Sequence, residues 1–145
     1  MRSTLLRLMD EVRLLNHRLV RTAEELHADT GVSVPGRAVL EFLRRTGPTS
    51  VPDIARARYV TRQHIQGIVD SLTDAGLVER ATNPAHRRSQ LIALTESGAA
   101  TIDSMHQRER RLLDQRMTGI DDHDVVAATA VLVAVRAALD EESVR

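Results

Sequence analysis

The sequence predicts a mainly α-helical fold of six helices with one small β-hairpin. Three observations predict it. Apolar residues recur at helical spacing in six segments, and strand-like runs occur only around Leu77-Val78-Glu79-Arg80 and Gln90-Leu91-Ile92-Ala93-Leu94. Just before the hairpin lie a short helix, a turn and a second helix whose front, Arg62-Gln63-His64, is polar. The hairpin tip, Asn83-Pro84-Ala85-His86-Arg87-Arg88, is basic. This order is a helix-turn-helix followed by a wing. The length suits one domain over 1–145, with a winged lobe over 33–95 and flanking helices over 3–29 and 99–145.

The first helix is expected from about Ser3 to Asp29, because Leu5, Leu8, Val12, Leu15, Leu19 and Leu26 fall on one side. The second follows Gly31. Ser33 is its expected N-cap, Pro35 suits the first turn, and Gly47-Pro48 ends it. Val39, Leu40 and Leu43 form its buried face, with Phe42 at the edge. The short third helix opens on Ser50, with Asp53 three residues on as in a capping box. Ala57-Arg58-Tyr59-Val60 forms the turn, and Thr61 caps the fourth helix. Ile65, Ile68, Val69 and Leu72 form one stripe of that helix, which places Arg62, Gln63, His64 and Gln66 largely on the other side. Gly76 is the expected C-cap, and Asn83-Pro84 marks the hairpin turn. Thr95 caps the fifth helix, whose apolar positions are Ile102, Met105, Leu112, Leu113 and Met117. Asp121, Asp122 and Asp124 open the sixth, which is expected to reach about Glu142. Its middle is apolar nearly all round, and such a terminal helix must be covered. A second copy of the chain is the simplest cover, which gives a homodimer built from the first and last helices.

Composition narrows the function. Acidic and basic residues balance at 20 each, and every basic residue other than His is Arg. A neutral chain can still carry a basic stripe on one face. With no Cys, disulfide scaffolds, thiolate zinc sites and thiol redox sensors are excluded. One Tyr and one Phe are too few for a single-strand binder that stacks bases on aromatic rings. The N-terminus does not read as a signal peptide, and Val125–Leu139 is shorter than a membrane span. The expectation is therefore a cytoplasmic protein with no membrane partner. No phosphate loop, nucleophile elbow or paired histidines at metal-ligand spacing occur, so no enzyme, metal or cofactor is expected. His17, His27, His106 and His123 read as surface or helix-end histidines.

Gln can pair with adenine and Arg with guanine in the major groove. Gln63, His64 and Gln66 stand toward the end of the fourth helix that enters the groove in helix-turn-helix readers, with Arg62 beside them for bases or phosphate. Gly67 leaves room for close approach of the backbone. Taken alone, these residues would also suit a solvated helix face; the ordered wing behind them favours double-stranded DNA. On the wing, Arg87 and Arg88 beside His86 suit a narrow minor groove, and Arg80 adds charge at the base.

With those residues in view, the chain resembles the MarR family of winged helix-turn-helix regulators. The specific matches are Thr61-Arg62-Gln63-His64-Ile65-Gln66, Gly76-Leu77-Val78-Glu79-Arg80, the wing tip, and Leu94-Thr95-Glu96-Ser97-Gly98. The resemblance implies an obligate homodimer, the fourth helix in the major groove, and Arg88 as the wing Arg in the minor groove. It implies a repressor of transcription that binds a pseudo-palindromic operator. It also implies a small aromatic or anionic effector between the dimer helices and the DNA lobe, where His17, Arg21 and Arg37 are expected to lie. Intrachain ion pairs with Glu24 or Glu41 are the plainer role for those three. His86 departs from the family, which often has an acid at that position to brace the wing Arg. The alternative function is a winged-helix protein-interaction module that never binds DNA.

Overall fold

The computed structural model describes residues 1–86 and 88–141. The chain divides into two compact units, Met1–Glu109 and Arg110–Arg145. In the first, α1 (Arg2–Leu26) leads through a 3₁₀ turn (Ala28–Thr30) into α2 (Val34–Thr46), and a two-residue strand β1 (Thr49–Ser50) precedes α3 (Val51–Ala57). Then come α4 (Arg62–Asp74), the hairpin strands β2 (Val78–Thr82) and β3 (Gln90–Leu94), and α5 (Glu96–Arg116), which runs on into the second unit. The second unit adds α6 (Asp122–Glu141).

The expected caps form. Ser33 Oγ accepts from Gly36 N at 3.1 Å, Thr61 Oγ1 from His64 N at 3.1 Å, and Thr95 Oγ1 from Gly98 N at 3.0 Å. At α3, Ser50 Oγ accepts from Asp53 N and donates to the Asp53 carboxylate at 2.7 Å. That hydroxyl, followed by Arg56, holds the Asp53 carboxyl below its ordinary pKa. Each cap satisfies a backbone donor that the first helical turn would otherwise leave open.

Three features differ from the sequence reading. The first helix stops at Leu26 rather than Asp29, because His27 turns inward and the chain tightens into the 3₁₀ turn before Gly31, whose φ is +67°. The C-cap of α4 is Ala75, and Gly76 follows it at φ +73°. The hairpin belongs to a three-stranded antiparallel sheet, order β1-β3-β2, in which Ser50 pairs with Leu91 and Arg80 with Ile92. β1 had no sequence signal, since two residues cannot show alternation. The end of the sixth helix at Glu142 lies outside the described residues.

The core of the first unit is the winged lobe. Leu40 from α2, Ile54 from α3, Ile65 and Val69 from α4, Ile92 from β3 and Ile102 from α5 are all sealed from solvent. Phe42, expected at an edge, is buried as well. α1 buries none of its residues, and Leu5, Leu15 and Leu19 remain exposed along it. In α6, Val125, Val126, Val131, Leu132, Val133 and Leu139 are all exposed in the single chain. No helix among the described residues is long and apolar enough to cross a membrane.

Candidate nucleic-acid interface

α4 is anchored on one side and open on the other. Ile65, Val69 and Leu72 are buried, while Arg62, Gln63, His64 and Gly67 are exposed and Gln66 is half-buried. The anchor fixes the rotation of the helix about its axis, so the polar front is presented as a set. A Cβ built on Gly67 meets nothing within 4 Å, so the helix surface there is open.

The expected DNA-contacting residues fall into two groups. The exposed side chains of Arg62, Gln63 and Arg88 make no hydrogen bond or ion pair with other side chains or backbone among the described residues. Gln66 and Arg80 are instead tied into the lobe. Gln66 Nε2 donates to Asp70 Oδ1 at 2.8 Å, and Arg80 NH2 donates to the same oxygen at 3.1 Å. Arg80 NH1 also donates to Gln90 Oε1 at 3.3 Å, which links α4 to both wing strands. The wing turn is held without an acid at His86. Asn83 Oδ1 accepts from Ala85 N at 3.0 Å, Asn83 Nδ2 donates to Ser89 Oγ at 2.9 Å, and Ser89 N donates to the His86 carbonyl. His86 is exposed, and Arg87 lies outside the described residues.

A second constellation lies behind the lobe. A cleft of about 370 Å³ at the α1–α2 junction is lined by ten residues between Ala23 and Arg37, among them Glu24, His27 and Arg37. His27, only 3% exposed, bonds Glu109 through Nε2 at 3.2 Å, and Arg37 forms an ion pair with the same carboxylate. His27 Nδ1 and Arg37 Nε are buried without a partner among the described residues. Of the three effector residues expected from the sequence, Arg37 lines this cleft. His17 is exposed on α1, and Arg21 pairs with Glu25 at 3.8 Å; neither lines it. Glu41, a suggested ion-pair partner, bonds His106 at 2.7 Å. His27, expected as a surface or helix-end histidine, is buried instead, and Glu109 carried no signal in the sequence. Glu109 is 82 residues away from His27, and only folding brings them together. Close by, Arg108 forms a fork on Asp29 at 2.5 and 2.9 Å and reaches the Leu26 carbonyl. The Arg108 hydrogen bond holds the Asp29 carboxyl below its usual range and raises the guanidinium in turn.

The sequence of the lobe carries the same signature as its geometry. A model of the MarR family matches residues 30–89, which run from the α1–α2 junction to the wing. Over these residues the chain carries the MarR family sequence pattern. Among similar proteins, the HTH-type transcriptional repressor NicR of Pseudomonas putida is 33% identical over 100 residues, 69% of this chain. The match spans 61% of NicR's own length, and only 41% of three mycobacterial relatives. The crystal structure of the MarR family transcription regulator SP03579 superposes with a TM-score of 0.84 at 29% identity, covering 97% of this chain and 93% of that one. A mutant MarR from E. coli complexed with operator DNA has the same fold, with a TM-score of 0.77 at 23% identity, covering 91% and 95% of the two chains.

Proposed function

We propose that this protein is a transcriptional regulator of the MarR family, a repressor that binds a specific duplex operator as a homodimer. One observation carries the reading: α4 is locked by its buried stripe while Arg62, Gln63 and His64 stand exposed at its capped N-terminal end, ahead of an Arg88-tipped wing. Glutamine and arginine there match the hydrogen-bonding edges of adenine and guanine, and a wing arginine suits the minor groove. The repressor NicR and the operator-bound E. coli MarR support the assignment by kinship and fold. The exposed apolar residues along α1, and separately those along α6, support a second copy as their cover, since clustered exposed apolar side chains mark an interaction site. Two recognition helices related by a two-fold axis would read half-sites about one helical turn apart, so the operator is a pseudo-palindrome.

The cleft at Arg37 and His27 supports a small anionic or aromatic effector, because both side chains present buried polar nitrogens without partners among the described residues. Selection of bound duplexes from a random pool, followed by anisotropy titration at several salt concentrations, tests the main reading. A palindromic consensus with steeply salt-dependent affinity is expected. Equal binding to all sequences refutes it. Aromatic carboxylates such as benzoate should raise the melting temperature of the native protein and not of Arg37→Ala.

A further inference from the structure

Gln66, unlike Arg62 and Gln63, is wired through Asp70 to Arg80 of the wing. We propose that Asp70, held by Arg80, is a positioning residue that fixes the side-chain amide of Gln66 so that it reads one base pair of the operator. The inference rests on the DNA-binding reading above and deepens it.

The argument begins with the chemistry of the amide. A glutamine side chain has an oxygen that only accepts and a nitrogen that only donates. Turned over by 180°, it presents the opposite pattern to a base edge. A free glutamine adopts either orientation, and so contributes little discrimination until bound. An ionised carboxylate accepts and cannot donate. With Asp70 Oδ1 2.8 Å from Gln66 Nε2, the reversed amide would set two acceptor oxygens against each other. Asp70 therefore selects one orientation. One N–H is spent on Asp70, while Oε1 and the second N–H remain, the acceptor–donor pair that matches N6 and N7 of adenine.

A glutamine–aspartate pair four residues apart on a helix is common and weak. Here a second element makes it more than that. Arg80, on β2, donates to the same Asp70 oxygen at 3.1 Å, and its other nitrogen donates to Gln90 on β3 at 3.3 Å. The carboxylate is thus held from the sheet as well as from the helix. Arg80 holds Asp70 in place, and Asp70 orients Gln66. The same bridge ties the recognition helix to the base of the wing, so the two DNA-facing parts keep a common frame.

The test uses the full-length protein and the duplex obtained by selection from a random pool, with each base pair varied in turn. Gln66→Ala first identifies the base pair whose discrimination depends on this side chain, expected at about 5- to 100-fold for a bidentate pairing. Asp70→Asn keeps the shape of the residue and can accept or donate, so it no longer forbids the reversed amide. It is expected to lose most of that discrimination at that base pair and to leave the other positions unchanged. Arg80→Lys keeps the charge but cannot bridge Asp70 and Gln90 together, and it should lose part of the discrimination at the same position. A role confined to stability would lower affinity evenly across all duplexes, which overturns the proposal. So does full discrimination in Asp70→Asn, or a Gln66→Ala variant that changes no position. If the unsubstituted protein binds every duplex equally, the DNA-binding reading itself fails, a result distinct from a specific wild type with an unaffected Asp70→Asn. Matched circular dichroism and melting of each variant separate misfolding from lost positioning, because all three positions are surface-accessible.

Discussion

Gly98 offers the sharpest test of how the lobe is assembled. It sits in the first turn of α5, where the chain leaves the wing, and it is buried. A Cβ placed there would lie 1.9 Å from the Leu77 carbonyl oxygen and 2.9 Å from its carbon. The obstacle is backbone, not the movable end of a side chain. That carbonyl is already engaged, since Thr95 N donates to it at 3.1 Å. Ordinary contact begins near 3.4 Å, so Gly98→Ala requires a shift of about 1.5 Å between the start of α5 and the root of the hairpin. Forcing extra atoms into a packed site costs about 1–3 kcal/mol, and the upper end applies because neither side can yield by rotating a side chain. Alanine recovers roughly 0.5–1 kcal/mol of helix propensity relative to glycine. The net expectation is a loss of about 2 kcal/mol, or a fall in Tm of roughly 4–8 °C for a chain of this size. Gly67→Ala is the matched control. It lies inside α4 with open space around it, so it should gain roughly 0.5–1 kcal/mol. Urea and thermal unfolding of both variants at one fixed protein concentration would decide it. A Gly98→Ala variant as stable as the parent would refute the close approach on which the argument rests.

Three further outcomes are expected. Asp29 has its pKa lowered chiefly by the Arg108 hydrogen bond, so its contribution to stability is full above the ordinary carboxylate pKa of about 3.9 and fades as pH falls through the lowered native value. The stability gap between the parent and Asp29→Asn in urea should therefore shrink below about pH 4, and a gap constant from pH 7 to pH 3 contradicts this. Arg88→Ala should weaken operator binding and reduce the salt slope by about one; an unchanged slope in anisotropy titrations removes Arg88 from the phosphate or groove contacts. Leu132→Asp should place a charge in the apolar surface of α6 without disturbing the lobe core, and sedimentation should show a protomer where the parent shows a dimer; equal masses speak against α6 as the interface.

Much of the lobe was legible before folding because its signals are local. Ser33, Ser50 and Thr61 cap the helices they precede, and a cap involves only the next three residues. The stripe Ile65, Val69 and Leu72 set which side of α4 is buried, and with it which side carries Arg62, Gln63 and His64. The boundary at Leu26 was not legible, since the helix ends where buried His27 meets Glu109, a residue 82 positions away along the chain. β1 was invisible for a related reason: it is a strand only because β3 pairs with it.

The amino-acid order by itself determined the succession of the six helices and the hairpin, the helix N-caps, and the polar front of the recognition helix, because each depends on residues within one or two turns of one another. Only the tertiary structure decided which of those polar groups stay open to a partner. Arg80 of β2 reaches Asp70 on α4, and Arg37 and His27 converge on Glu109, through contacts between separate elements that no periodicity along the chain encodes.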